Sequence, residues 1–232
     1  ISQAGSSVSI RNRIFVSKIN RHMKKILFLV CALFLGGSLY NWAQSTDKAS
    51  IVTTDNYLNG AVTEKNGVVV FEETFVVPGK SKADIFEALK KYTESIVTGE
   101  NHLPQSRIME LSPQEGVIAA SIEETIWFKR TALVSDFARF FYHLVFEVSE
   151  GQFKVTLLRL RYIYEPMTTP GQDNVMLAEE WITDKEALKK NGTQLRRGTS
   201  KKFRVATIDR KNELFRGAGR ACGLKFVRVV EE

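Results

Sequence analysis

Residues 68–97 read VVVFEETFVVPGKSKADIFEALKKYTESIV, and this stretch decides the fold. Apolar side chains alternate over residues 68–77, which is typical of a strand with one buried face, and Pro78 and Gly79 end that strand. Ser81 and Asp84 then form a capping box, after which apolar residues recur every three or four positions. We therefore predict a strand that is followed at once by a helix.

Three more runs of alternating apolar residues follow, at 118–128, 138–148 and 153–164. A tight turn around Gly151 joins the last two, so they are predicted to pair as antiparallel strands. The apolar phase slips by one residue at Leu157-Leu158, which indicates a β-bulge. Residues 100–115 are predicted to form a loop.

Beyond residue 166 the pattern becomes helical. It predicts helices at 175–181, from Thr183 to about Asn191 and at 204–220, followed by a final strand at 224–230. The order of strand, helix, three antiparallel strands and further helices predicts an α+β fold. We expect an antiparallel sheet with helices on one face and a helical C-terminal segment.

The N-terminal part has the pattern of a secretory signal peptide over residues 23–43. Met23-Lys24-Lys25 is a positively charged start, residues 26–39 are almost entirely apolar, and Ala43 precedes a plausible cleavage site. Acylation at Cys31 and a retained membrane anchor are less favoured, because Val30 is not small and the apolar run is too short to span a bilayer. The protein is therefore predicted to be periplasmic, on the cell surface or secreted, with no transmembrane span after cleavage.

These patterns divide the chain into five parts. They are a probable upstream extension (1–22), the signal peptide (23–43), a tether (44–66), an α+β domain (67–166) and a basic helical segment (167–232) packed on the domain or appended to it.

Removal of residues 1–43 changes the charge argument. The whole chain carries 33 basic and 26 acidic residues, but the first 43 hold six of the basic residues and no acid. Because the remainder is nearly neutral, a nucleic-acid partner is not expected. A cytoplasmic nucleic-acid binder is the least favoured hypothesis, since it requires an uncleaved leader. The remainder contains one cysteine, Cys222, so an internal disulfide is excluded.

Two glutamates lie in the apolar phase of their strands, Glu73 and Glu124. A buried carboxylate must be paired or protonated, and the basic candidates on the strands are Arg139, Arg159 and Arg161. One interpretation is a ligand-binding or hydrolytic pocket between helix and sheet that uses Glu73, Glu124, Arg159 and Arg161. The other is a structural ion pair, or side chains that reach water at strand ends. No catalytic residue, metal ligand or cofactor is assigned from the sequence.

The C-terminal part is strongly basic. Residues 193–228 carry 11 basic and two acidic residues, whereas residues 44–192 carry 16 basic and 22 acidic. This asymmetry favours a contact with an anionic lipid, a glycan or an acidic protein of the cell envelope. The predicted contact residues are Arg196, Arg197, Lys201, Lys202 and Arg204. Alternatively, the segment folds back on the acidic domain or presents a solvated helix face.

Several short motifs together resemble a family of secreted Gram-negative proteins of unknown function, named for a TATA-binding-protein-like fold. The motifs are Trp42-Ala43-Gln44, residues 75–81 (FVVPGKS), the paired strands around Gly151, residues 181–188 (WITDKEAL), residues 202–204 (KFR) and residues 207–209 (TID). The resemblance covers roughly residues 65–215 and implies a TBP-like sheet with a helix packed on it and an exported location. It implies no activity.

The leading hypothesis is an exported envelope protein that acts as a non-catalytic binding module through its basic C-terminal segment. The alternative is the pocket with buried carboxylates.

Overall fold

The computed structural model describes residues 50–53, 56–131, 133, 135–164 and 174–228. The predicted extension (1–22) and signal peptide (23–43) lie outside these residues. The strands are β1 (Ser50–Thr53), β2 (Glu64–Lys65), β3 (Val68–Val76), β4 (Arg107–Ser112), β5 (Val117–Arg130), β6 (Ser135–Ser149), β7 (Gln152–Tyr164), β8 (Val175–Leu177) and β9 (Lys225–Arg228). The helices are α1 (Lys82–Val97), α2 (Ala178–Trp181), α3 (Asp184–Ala187) and α4 (Thr199–Ala221).

The main sheet has the strand order β2-β3-β7-β6-β5-β4, and β8 adds to β7. All of its pairs are antiparallel, as expected for neighbouring strands joined by short turns. The predicted α+β architecture with an antiparallel sheet is confirmed.

Helices α1 and α4 lie on the same face of the sheet. They contribute Leu89 and Phe215 to one apolar core with the β6 side chains Phe140 and Phe146. The C-terminal segment is therefore packed on the sheet. On the opposite face Phe141 and Val145 of β6 are only half-buried, since within the described residues no long helix covers them.

The capping box predicted at the start of α1 is confirmed. The Asp84 N–H donates to Ser81 Oγ at 3.2 Å, and the Ser81 N–H donates to Asp84 Oδ2 at 3.4 Å. Because both bonds satisfy N–H groups that the helix leaves unpaired, the chain turns directly from β3 into α1.

The predicted bulge is confirmed two residues further along β7. Phe141 pairs with Arg161 and His143 with Leu158, so three steps on β7 match two on β6. Arg159 has φ of 57°, in the left-handed region, which accommodates the extra residue.

Three sequence predictions are wrong. The loop over 100–115 contains β4, an edge strand whose mostly exposed side chains give no apolar alternation. The helix predicted over 175–181 begins as strand β8. Part of the predicted tether belongs to the fold, because β1 pairs with β9 and β2 with β3. Among the described residues no helix is long and apolar enough to cross a membrane.

Cys222 follows α4 and is buried in the core. Burial raises the pKa of its thiol to about 11. Because the thiolate is the reactive form, we expect labelling by an aromatic disulfide at about pH 8 to be about 100-fold slower than in unfolded protein. The rate is measured with and without denaturing urea in a Cys31→Ser background. Equal rates in the two states would show that the thiol is accessible.

Candidate functional site

A cleft of about 540 Å³ lies between the C-terminal half of β5 and the N-terminal half of α4. This volume is within the range of small-molecule sites. Its apolar wall is formed by Ile126 and Phe128 of β5 and Val205 and Ala206 of α4. Its main charged side chains are Glu124, Lys201, Lys202, Asp209, Arg210 and Glu213. The cleft therefore combines an apolar wall with charged groups.

The inner end of the cleft is a buried ion pair between Glu124 and Arg210. Arg210 Nε and Nη2 donate to the two carboxylate oxygens of Glu124, each at 2.8 Å, and Tyr142 OH donates to Oε1 at 2.9 Å. Glu124 is only 3% exposed. Burial, followed by the charge of Glu124, raises the pKa of Tyr142 well above its ordinary value. Three donors thus hold this carboxylate as a fixed structural charge.

His102 lies beside this pair. Its backbone forms an isolated bridge with that of Glu124, and its Nε2 lies 3.8 Å from Glu124 Oε2. The side chain is 7% exposed, and neither ring nitrogen has a hydrogen-bond partner within the described part of the chain. The histidine is therefore held near the carboxylate by the backbone bridge.

The outer end of the cleft is the N-terminus of α4. Gly198 is the N-cap and has no side chain that could cap the first turn, so the N–H groups of that turn keep their partial positive charge. Lys201 is exposed and forms no ion pair with any described residue. Lys201 and the first turn of α4 thus place positive charge at the mouth of the cleft, whereas the acids Asp209 and Glu213 line it further along the helix.

Lys202 forms the side of this mouth. Its Nζ donates to Asp136 Oδ2 at 2.9 Å and to Tyr164 OH at 2.7 Å, and it lies 4.8 Å from the ring centre of Phe128. Burial opposes its charge, but the hydrogen bonds with Tyr164 and Asp136 raise the pKa of Lys202. Lys202 is therefore a fixed cation, whereas Lys201 is an available one.

The structure does not bring the predicted pocket residues together. Glu73 is exposed and not buried as predicted. It lies three strands across from Glu124 and six residues away along the register, a separation of more than about 20 Å. Desolvation still raises the pKa of Glu73, against the attraction of Lys211 and Arg216.

The arginines suggested as partners also lie elsewhere. Arg159 and Arg161 are exposed on the sheet face opposite the helices. Arg139 pairs with Glu123, the neighbour of Glu124 on the other face of β5. Of the predicted pocket, Glu124 alone lines the cleft, and its partner is Arg210.

The basic residues of the C-terminal segment have three different environments. Arg204 is fully buried, so its predicted surface role is wrong. Arg196 is exposed, and its Nε donates to Leu188 O at 2.7 Å. Arg197 and Lys201 are exposed without an ion pair to the described residues.

Sequence reasoning missed Arg210 and Tyr142. The apolar phase of Glu124 correctly required a partner, but partners were sought on the strands, and Arg210 is 86 positions away on a helix. The available signal was the position of Arg210 among the basic residues of α4, on the side of the helix that faces the sheet.

These features define an α+β protein of TBP-like fold with a cleft under its C-terminal helix. The model of the family DUF4468, described as a domain of unknown function with TBP-like fold, matches residues 71–163. A DUF4468 family protein from Bacteroides ovatus ATCC 8483 is 36% identical, with a TM-score of 0.65, over 72% of this chain and 93% of that one. The chain belongs to the DUF4468 family.

A second crystal structure shares the fold. A TBP-like protein from Parabacteroides distasonis ATCC 8503 is 18% identical and has a TM-score of 0.57, over 70% of this chain and 97% of that one. No curated protein matches the chain. The described residues include no group of three or more side chains suited to hold a metal ion.

Proposed function

We propose that the protein is an exported, non-catalytic binding module that takes an anionic, partly apolar ligand in the cleft between β5 and α4. The observation that carries this proposal is the uncapped N-terminus of α4 at the mouth of a cleft of about 540 Å³, where Lys201 forms no ion pair with a described residue. An anion is stabilised at such a helix end by the backbone N–H groups and by the helix dipole.

The cleft favours a ligand with two unlike parts. An anionic group would lie near Lys201 and Gly198, and an apolar part would contact Phe128, Val205 and Ala206. Lys202 already balances Asp136, which leaves Lys201 as the cation available to the ligand. Among envelope components, an anionic lipid or a substituted acidic glycan carries such groups.

The hydrogen bonds that Glu124 accepts favour a binding role over hydrolysis. Both of its oxygens accept hydrogen bonds from Arg210, and one also accepts from Tyr142. Because both oxygens are engaged by protein donors, this carboxylate is positioned as part of the structure and is not free to act on a bound ligand. Export to the envelope follows from the predicted signal peptide at residues 23–43.

The proposal is tested with 1-anilinonaphthalene-8-sulfonate, which has apolar rings and one anionic group. We expect the dye to bind at a single site, with Lys201→Glu weakening binding about 10-fold through the lost charge contact. Ala206→Trp is expected to abolish binding because the indole fills the cleft. Fluorescence titration measures the affinity, and melting curves verify that each variant is folded.

Matched controls come from α1, where Ala83 and Lys91 are exposed away from the cleft. Ala83→Trp and Lys91→Glu are expected to bind the dye as the parent does. Dye binding that survives Ala206→Trp would place the site elsewhere and contradict the proposal.

A further inference from the structure

A second cluster of positive charge lies on the sheet face opposite the cleft. The register places Arg107 of β4, Ser121 of β5, His143 of β6 and Leu158 of β7 in one row across the sheet. The bulge then adds Arg159 next to Leu158. Four strands thereby bring two arginines and a histidine to one line on this face.

A cavity of about 430 Å³ opens beside the bulge. It is lined by side chains that include Phe141, His143, Arg159, Arg161, Leu177 and Glu179. The guanidinium carbon of Arg161 lies 4.7 Å from the ring centre of Phe141, and that of Arg139 lies 5.4 Å from it. The aromatic ring supports the guanidinium of Arg161 at the cavity wall.

The arginines of the cavity wall are not balanced by ion pairs within the described residues. Arg159 and Arg161 make no ion pair with the described residues. Glu123 faces the same side but is bound by Arg139. Glu179 is the acid of the cavity wall, and its Oε1 accepts from the Val69 N–H at 2.7 Å. Neither of these acids therefore forms an ion pair with Arg159 or Arg161.

The charges of the arginines also affect the pKa of His143. Desolvation, followed by the charges of Arg159, Arg161 and Arg107, lowers the pKa of His143. Arg159 also has a left-handed backbone, a conformation that costs free energy for an arginine and is often found at functional sites. The bulge thus places a strained arginine near Arg161, and neither guanidinium forms an ion pair with a described residue.

We propose that this cluster is a binding site for a tetrahedral oxyanion, a phosphate group above all, held by Arg159 and Arg161 with His143 nearby. Guanidinium groups match the oxygens of a phosphate by paired N–H donors, and its charge of nearly −2 balances more than one arginine. Phe141 and Leu177 offer apolar contact to an organic group that carries the phosphate. The site is independent of the cleft, because it lies on the other face of the sheet.

The test is an NMR titration of the His143 imidazole in the full chain, at constant ionic strength set with sodium chloride. Inorganic phosphate and phenyl phosphate are the two probes. Both are expected to shift the His143 resonance in a saturable way, and binding of phosphate raises its pKa. Tighter binding of phenyl phosphate would identify a phosphomonoester as the ligand, and equal binding a free phosphate.

Two variants assign the effect to the arginines. Arg159→Asn, which tolerates the left-handed backbone, and Arg161→Gln are each expected to weaken phosphate binding at least about 10-fold. Arg130→Gln is the matched control, since that guanidinium lies over Trp127, outside the cavity lining. Its affinity is expected to equal that of the parent.

The melting temperature without phosphate separates binding from a structural role. Relief of repulsion is expected to leave Arg159→Asn at least as stable as the parent, whereas a structural arginine would lower the melting temperature when replaced. A parent whose His143 does not respond to phosphate, or variants that bind as tightly as the parent, would overturn the proposal.

Discussion

Replacement of Arg204 by methionine is expected to lower the free energy of unfolding by about 3–5 kcal/mol, the range for the loss of one partner of a buried ion pair. The side chain is fully buried. It donates to the carbonyl oxygens of Tyr57, Leu58 and Ile182 at 2.6–2.8 Å, and to Asp184 Oδ1 at 2.6 Å. Methionine fills a similar volume but leaves these acceptors unpaired.

The measurement is urea denaturation followed by intrinsic fluorescence. Arg197→Met is the matched control, because Arg197 is exposed and has no ion pair within the described residues. The control is expected to change stability by less than about 0.5 kcal/mol. Similar midpoints for the two variants would show that Arg204 does not hold Tyr57 and Leu58 against α3 and α4.

Replacement of Arg210 by methionine is expected to cost about 3 kcal/mol of unfolding free energy, because it leaves Glu124 buried with a single donor from Tyr142. This cost is at the low end of the range for a buried ion pair, because the Arg210 side chain is 21% exposed.

Two comparisons make this prediction specific. Glu213 also accepts from Arg210 but is 68% exposed, so Glu213→Gln is expected to cost less than about 0.5 kcal/mol. The double variant Glu124→Gln/Arg210→Met is expected to lose less unfolding free energy than the two single variants lose together, because it removes both charges. Additive losses would contradict the ion pair.

Periodicity was sufficient to predict the central part of the fold. The strands β3, β5, β6 and β7 each bury one face, so their apolar residues alternate, and α1 has a cap and a 3.6-residue period. The phase slip in β7 located the bulge because an extra residue moves later side chains to the other face. These signals are local, and each could be read from a single stretch of sequence.

The missed elements lack such a signal. Strand β4 lies at an edge with exposed Met109 and Leu111, and β1 pairs with β9 at the far end of the chain. Their formation depends on a partner strand, which the local pattern does not reveal.

The cleft was only partly predictable for the same reason. Glu124 was identified by its apolar phase, and Lys201 and Lys202 by the basic segment, but these were interpreted as two separate sites. They face one cleft because α4 crosses β5 in the tertiary structure. Arg204 has the charge of a surface residue and is buried because backbone carbonyls distant in sequence converge on it.

The most direct test is native mass spectrometry of the protein recovered from the envelope fraction of its own cells, for the parent and Ala206→Trp. We expect the parent chain to begin near Gln44 and to carry an anionic adduct, and we expect the variant to lack that adduct. A cytoplasmic chain that retains residues 23–43, or an adduct that Ala206→Trp retains, would contradict an exported module that binds its ligand in the cleft.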